Sequence, residues 1–262
     1  MKLRRRRRGE PSASRRPSKA GARHTPSGAV TSWLRQGLTN RMCPLCRVAH
    51  KADREYVWHF YDEQSNDMGA IELVQRAFGF CAEHIEMLRR IDVEDMKTTL
   101  SISVLFADTF AGILEQLRAL PPDVAFEPAP CPACASRDDH LRRNALYLLD
   151  MIATNRGYSN TFKSSPGLCF PHFELTWRLA RTRNDREVLL SVQQSATESL
   201  LHDLREHVRK HDDKYRHEPK GSEQDSWLRA IYLTTGWPPP VQSAAEPEQP
   251  ARRSRESRGD QQ

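Results

Sequence analysis

Eight side chains combine residue type and spacing in a way that implies chemistry. Cys43 and Cys46 form a CPxC turn, Cys81 and His84 a CxxH, Cys131 and Cys134 a second CPxC, and Cys169 and His172 a second CxxH. Thiolate and imidazole are the preferred ligands of Zn2+, which takes four of them tetrahedrally at about 2.0–2.3 Å. A CxxC turn brings two sulfurs to one ion, and residues i and i+3 share a helix face, so each CxxH offers the other pair. The spacing predicts two Cys3His sites. Proximity in the chain predicts how they divide: Cys43, Cys46, Cys81 and His84 around one ion, and Cys131, Cys134, Cys169 and His172 around the other. Four protein ligands leave no open position for water or substrate, which is the mark of a structural site rather than a catalytic one.

The two sets are copies. Adding 88 to each ligand of the first set gives the second, and 34 residues separate CxxC from CxxH in both. Pro44 maps onto Pro132, Asp62 onto Asp150 and Gly79 onto Gly167, so a duplicated unit explains the pattern better than two independent motifs. All six cysteines are used, which speaks against a disulfide scaffold. Other chemistries for the same residues can be weighed. Thioredoxin-type CPxC motifs sit after a strand in an α/β domain, and no βαβ pattern is present. Haem attachment needs CxxCH, whereas Arg47 and Ala135 follow the second cysteines. An iron–sulfur cluster held by three cysteines and a histidine stays open as the alternative to two Zn2+. So does a thiol redox sensor, in which oxidation of the CPxC pairs would expel the metal.

The elements that must position these ligands read as helices. Residues 49–64 present Val57, Phe60 and Tyr61 on an apolar side, and residues 68–78 form a second helix that stops at Gly79, just before a third opens near Cys81. From Val93 to Leu120, the recurrence of Met96, Leu100, Val104, Leu105, Phe110, Ile113, Leu114 and Leu117 at intervals of three and four predicts a long amphipathic helix. The Pro-rich stretch 121–130 ends it. The second unit repeats the plan: a helix over 138–154 with Leu141, Ala145, Leu148, Leu149 and Ile152 inward, a motif helix from Cys169, a long helix over 185–213, and a short one stopped by Gly236. No stretch alternates as a strand does. The predicted fold is all-α: two tandem pseudo-repeated helical units, each with a Cys3His metal site. Their bounds are 29–120 and 131–240, joined by the linker 121–130 and flanked by disordered tails at 1–28 and 241–262.

Charge is distributed unevenly. The first 28 residues carry ten basic side chains against Glu10, a net +9, whereas the whole 262-residue chain carries only +6. Residues 241–262 cancel, leaving the helical part at −3. The Arg-rich tail is therefore expected to attract nucleic acid weakly and without sequence preference, by counterion release. No uninterrupted run of about 18 apolar residues occurs, and no apolar segment follows the arginines as in a secretory signal. The expectation is a cytoplasmic protein with no membrane partner.

The C-terminal part is dense in charge. His202, Asp203, His207, His211, Asp212, Asp213 and His217 resemble a fragment of a metal-dependent hydrolase site, the basis of an enzymatic alternative, although a solvated helix face has the same composition. Beyond it, "HVRKHDDKYRHEPKGSEQDSWLRAIYLTTG" together with the paired CPxC and GFCxxH elements resembles an uncharacterised bacterial family of unknown function, over roughly residues 40 to 236. Asp213-Lys214 and Leu168 depart from that family's pattern. The resemblance implies a bacterial, cytoplasmic protein and no particular activity. Lys210, Asp212, Arg216, Glu218, Trp227 and Arg229 form a candidate binding surface for an unknown protein or small-molecule partner. Trp227 and Ile231 are expected to anchor it against Leu200, Leu201 and Leu204. The function read from the sequence is a non-enzymatic, zinc-stabilised interaction or regulatory module.

Overall fold

The computed structural model describes residue 34 and residues 43–65, 67–125 and 127–236. The tails at 1–28 and 241–262 lie outside the described residues. Among the described residues the chain is helical without strands. Its elements are α1 (Pro44–His59), α2 (Met68–Arg76), α3 (Ala82–Arg89), α4 (Leu100–Ala119), α5 (Pro132–Thr154), α6 (Arg156–Lys163), α7 (Phe170–Leu179), α8 (Arg183–Arg209) and α9 (Ser226–Thr235). Short π-helical turns follow α1 and α3 at Phe60–Gln64 and Arg90–Asp95, and a 3-10 turn, Ser222–Asp225, precedes α9.

The repeat holds element by element. α1, α2 and α3 begin at residues 44, 68 and 82, and α5, α6 and α7 at 132, 156 and 170, each 88 later. Even the capping is duplicated: Asp67 accepts the Ala70 amide at the start of α2, and Asn155, 88 positions on, accepts the Tyr158 amide at the start of α6. These caps each satisfy an amide that the helix itself leaves unpaired. The sequence reading contained α2 but not α6, whose "RGYSNTFK" offers only two large apolar residues; both Tyr158 and Phe162 are buried.

α1 packs along α5 as the central pair of the molecule. The two run antiparallel, since Leu45 and Val48 near the start of α1 share a core with Leu148, Met151 and Ile152 near the end of α5, while Asp53 further along α1 meets Arg137 in the first turns of α5. That core takes in Leu141, Ala145, Tyr158, Phe162, Leu168, Leu189 and Val192, so the inward face expected of the 138–154 helix is the one observed. A second cluster of Val57, Phe60, Ala70, Val74, Leu88 and Leu105 lies under α2, α3 and α4. Asp92, fully buried, ties α4 down: its carboxylate accepts the Tyr61 hydroxyl at 2.9 Å and the Ile102 amide at 3.0 Å.

The helix expected over 93–120 is corrected in two ways: it begins only at Leu100, after the π-helical turn Arg90–Asp95, and it does not bury the apolar set assigned to it. Only Leu105, Thr109 and Ile113 are buried, and Leu100, Val104, Phe110, Leu114 and Leu117 face outward. In addition, α4 is long and apolar enough, by length and composition, to cross a membrane. Asp108, Glu115 and Arg118 interrupt a strict apolar run, but three charges in twenty residues do not remove the average character.

Candidate metal centres

All four ligand-bearing turns open helices in the same way. Cys43, Cys81, Cys131 and Cys169 are the N-caps of α1, α3, α5 and α7, with Pro44 and Pro132 at the first helical position and Pro171 in the first turn of α7. Proline suits those positions because no intrahelical amide is required there. Gly79 and Gly167, two residues before the CxxH cysteines, adopt φ of 107° and 75°, which gives each motif helix its sharp entry.

The eight ligands converge into two groups, but not the groups that proximity predicts. Cys43 and Cys46 meet Cys169 and His172, while Cys131 and Cys134 meet Cys81 and His84. Each site takes its CxxC from one repeat and its CxxH from the other. Helix length explains the crossing. The 16 residues of α1 carry the chain about 24 Å from Cys43, whereas the nine residues of α2 span only about 14 Å, too short to bring it back. The first CxxH therefore stays at the far end of α1, and there the antiparallel α5 begins with its CxxC.

In the first centre, His172 Nδ1 lies 3.5, 3.4 and 3.1 Å from the sulfurs of Cys43, Cys46 and Cys169, and Cys46 Sγ lies 3.5 Å from Cys169 Sγ. In the second, His84 Nδ1 lies 3.0, 3.7 and 3.5 Å from Cys81, Cys131 and Cys134, and Cys81 Sγ lies 3.6 Å from Cys134 Sγ. A tetrahedron with ligands at about 2.0–2.3 Å has edges of roughly 3.3–3.8 Å; six of the eight separations lie in that range, and those within the two CxxH pairs, 3.1 and 3.0 Å, are a little shorter, so each group is of a size to surround a single ion. Two helix N-termini point at each group, α1 with α7 and α3 with α5, and their positive ends favour thiolates.

Electrostatics agree with the geometry. Burial raises the Cys131 thiol, yet hydrogen bonds from His84 and from nearby backbone amides bring it down to about 6. Burial and the neighbouring Cys81 sulfur push Cys134 up to about 12. Cys43 is lowered against its own burial by contacts with Cys169, Cys46 and His172, whereas Cys169 is pushed up to about 12 by Cys43 foremost. Thiols packed this closely cannot all lose their protons together unless a cation lies among them.

Residues outside the motifs support each centre. His84 turns Nδ1 towards the three sulfurs and directs Nε2 at the buried Asp53 carboxylate, 2.9 Å away. Such a carboxylate–histidine contact orients the ring and raises its basicity as a ligand. Arg137 donates to Asp53 at 3.4 Å and to Cys134 Sγ at 3.7 Å. At the other centre, Gly236 caps α9 with φ of 70°, and its carbonyl lies 3.0 Å from Cys46 Sγ. A Cβ on Gly236 would stand 3.0 Å from Cys169 Sγ. Sequence reasoning missed Asp53. Its signal was faint: an acid at the i+7 position from Cys46, on the face of α1 that carries Val57 and Leu45.

The C-terminal residues are placed as follows. Lys210 bonds Glu223 at 3.0 Å, Arg229 bonds Asp203 at 2.8 Å, and Arg209 pairs with Glu218. Glu223 and Ser226 are buried, whereas Trp227 is 52% and Ile231 44% exposed. α9 does return to α8, but ion pairs and Glu223 hold it, not the expected tryptophan anchor. Asp212 and Arg216 are exposed, the latter paired with Asp213. The histidine and aspartate group of α8 is not gathered into a metal-ligating set: the candidate metal clusters among the described residues are the two Cys/His groups. Asp203 is occupied by Arg229, and His211 Nδ1 is bonded to the His207 carbonyl.

Fold and site thus define an all-helical protein built around two Cys3His clusters that could each hold a metal ion. The chain belongs to a family of unknown function, DUF6062, whose model matches residues 37–240. No curated protein and no solved structure matches it.

Proposed function

We propose that the chain is a non-enzymatic interaction or regulatory module in which two Zn2+ ions staple one helical repeat to the other. The observation that carries this reading is the crossed ligation. Losing either ion would release a contact between the halves, not merely loosen a loop within one of them. Three thiolates and an imidazole are a donor set that suits Zn2+, and four ligands complete its tetrahedron. Structural zinc supplies on the order of 10 kcal/mol of apparent binding free energy at neutral pH, which a chain with a lean apolar core can use for folding.

The test is elemental analysis and native mass spectrometry of protein purified without oxygen. Two zinc atoms per chain are expected, and one each after Cys43→Ser or Cys131→Ser. Iron with the optical bands of a cluster, or no metal at all, would reject the zinc reading. A redox reading draws on a different observation. The sulfurs 3.5 and 3.6 Å apart, Cys46 with Cys169 and Cys81 with Cys134, link the two repeats. Peroxide oxidation after metal release should therefore give disulfides between the repeats, detectable by non-reducing peptide mapping, with two thiols lost and one peroxide reduced to water for each.

A further inference from the structure

α4 is apolar on two opposite sides, and the fold covers one. Leu105, Thr109 and Ile113 face the core. At 100° per residue, the side turned away from them carries Leu100, Val104, Ala107, Ala111 and Leu114, with Phe110 and Leu117 on its flank; Arg118 shares the direction of Leu100. The seven apolar residues are exposed, Leu100 to 69% and Phe110 to 61%. An apolar helix face is ordinarily covered. The outer face amounts to on the order of 600 Å² of apolar surface, the upper end of what a lone monomer shows. With its rim it approaches the roughly 800 Å² that each partner gives to a standard interface.

We infer that this face pairs with the same face of a second copy of the chain, as an antiparallel two-helix seam about a two-fold axis. The order of residues selects this pairing. Leu100, Ser103, Ala107, Phe110, Leu114 and Leu117 follow one another at alternating intervals of three and four, the 3.5-residue repeat of helices that wind around each other. Antiparallel pairing with the axis at the level of Asp108 and Thr109 sets Leu100 against the second copy's Leu117. It sets Ser103 against Leu114 and Ala107 against Phe110. Each small residue then faces a large one, so the seam fills evenly. Parallel pairing would set Ala against Ala and Ser against Ser, leaving gaps beside a crowded Phe pair. A two-fold contact is also closed and self-complementary, so it stops at two copies. A lipid surface fits less well. Helices that lie on membranes carry Lys and Arg along their flanks, whereas the charges of α4 are Asp108, Glu115 and Arg118.

Sedimentation velocity on the full chain tests this. Wild type should be a dimer across the micromolar range. Phe110→Glu, at an exposed position, should raise the dissociation constant at least about tenfold with helicity and metal content unchanged. Leu100→Lys and Leu117→Glu should each weaken the dimer, and the double variant should regain it, because antiparallel pairing sets Lys against Glu at both ends. A monomeric wild type, a dimer indifferent to Phe110→Glu, or a double variant weaker than both single ones would overturn the proposal. So would a monomer that floats with phosphatidylcholine–phosphatidylserine vesicles through this face.

Discussion

The centre formed by α3 and α5 and the centre formed by α1 and α7 have the same four ligand types and nearly the same geometry, yet different surroundings. At the first, the buried Asp53 and the half-buried Arg137 form a charged layer around His84 and Cys134. At the second, the position 88 residues on from Asp53 is Leu141, a core residue with no carboxylate to offer. No acid accepts from His172 among the described residues, and the backbone of Gly236, arriving from the C-terminal helix, closes that side instead. Duplication preserved what an ion demands directly and released what only tunes it. One centre is steadied by a charge on its neighbouring helix, the other by a remote segment of chain.

The largest expected effect breaks the crossing itself. Cys43→Ser should free Cys169 for alkylation while Cys81 and Cys134 remain protected, and should cost several kcal/mol of stability, since a three-ligand site binds far more weakly. Alkylation and peptide mapping of the folded variant decide it; protection of Cys169 alongside exposure of Cys81 would restore the pairing by chain proximity.

Asp53→Asn sharpens the comparison by acting on one centre alone. Without the carboxylate, metal affinity at the α3/α5 centre should fall roughly 10- to 100-fold. Competition with a chromophoric chelator should then show two ions of unequal affinity where wild type shows closer values. Equal weakening at both centres would mean that Asp53 acts through general stability.

Gly236→Ala is the reciprocal change. It forces a side chain into the left-handed region and against Cys169, which costs about 1–3 kcal/mol. The ion at the α1/α7 centre should be the one released more readily.

The smallest effect concerns the clamp that brings Gly236 to its centre. The amide of Gly221, then the amide of Glu223 itself and the Lys210 ammonium, hold the Glu223 carboxyl down to about 2. A depressed folded value means stabilisation that is present above the unfolded carboxylate value near 4.3 and fades as pH falls towards 2. Hydrogen exchange of residues 221–226 should be faster in Glu223→Gln than in wild type at pH 7, and the gap should narrow in acid.

Much of this molecule was legible without coordinates. The 88-residue offset, the eight ligands and the helices around them depend on contacts within a few residues, and local spacing records those faithfully. α6 went unread because its helical signal is not hydrophobic periodicity but an Asn155 cap and two aromatics four apart; comparison with α2 across the repeat would have exposed it. Asp53 went unread because its partner lies 31 positions away.

What the sequence by itself determined is the donor chemistry: which side chains can hold an ion, in which pairs, on which helix starts. Which pairs come together was decided by tertiary structure, because α1 outruns α2 and lies antiparallel to α5, so each CxxH ends beside the other repeat's CxxC. The same holds for α4. Its periodicity shows apolar residues on more than one side, but only packing reveals that Leu105 and Ile113 are turned inward while Leu100, Phe110 and Leu114 are left exposed. A helix has no inside until another element covers it.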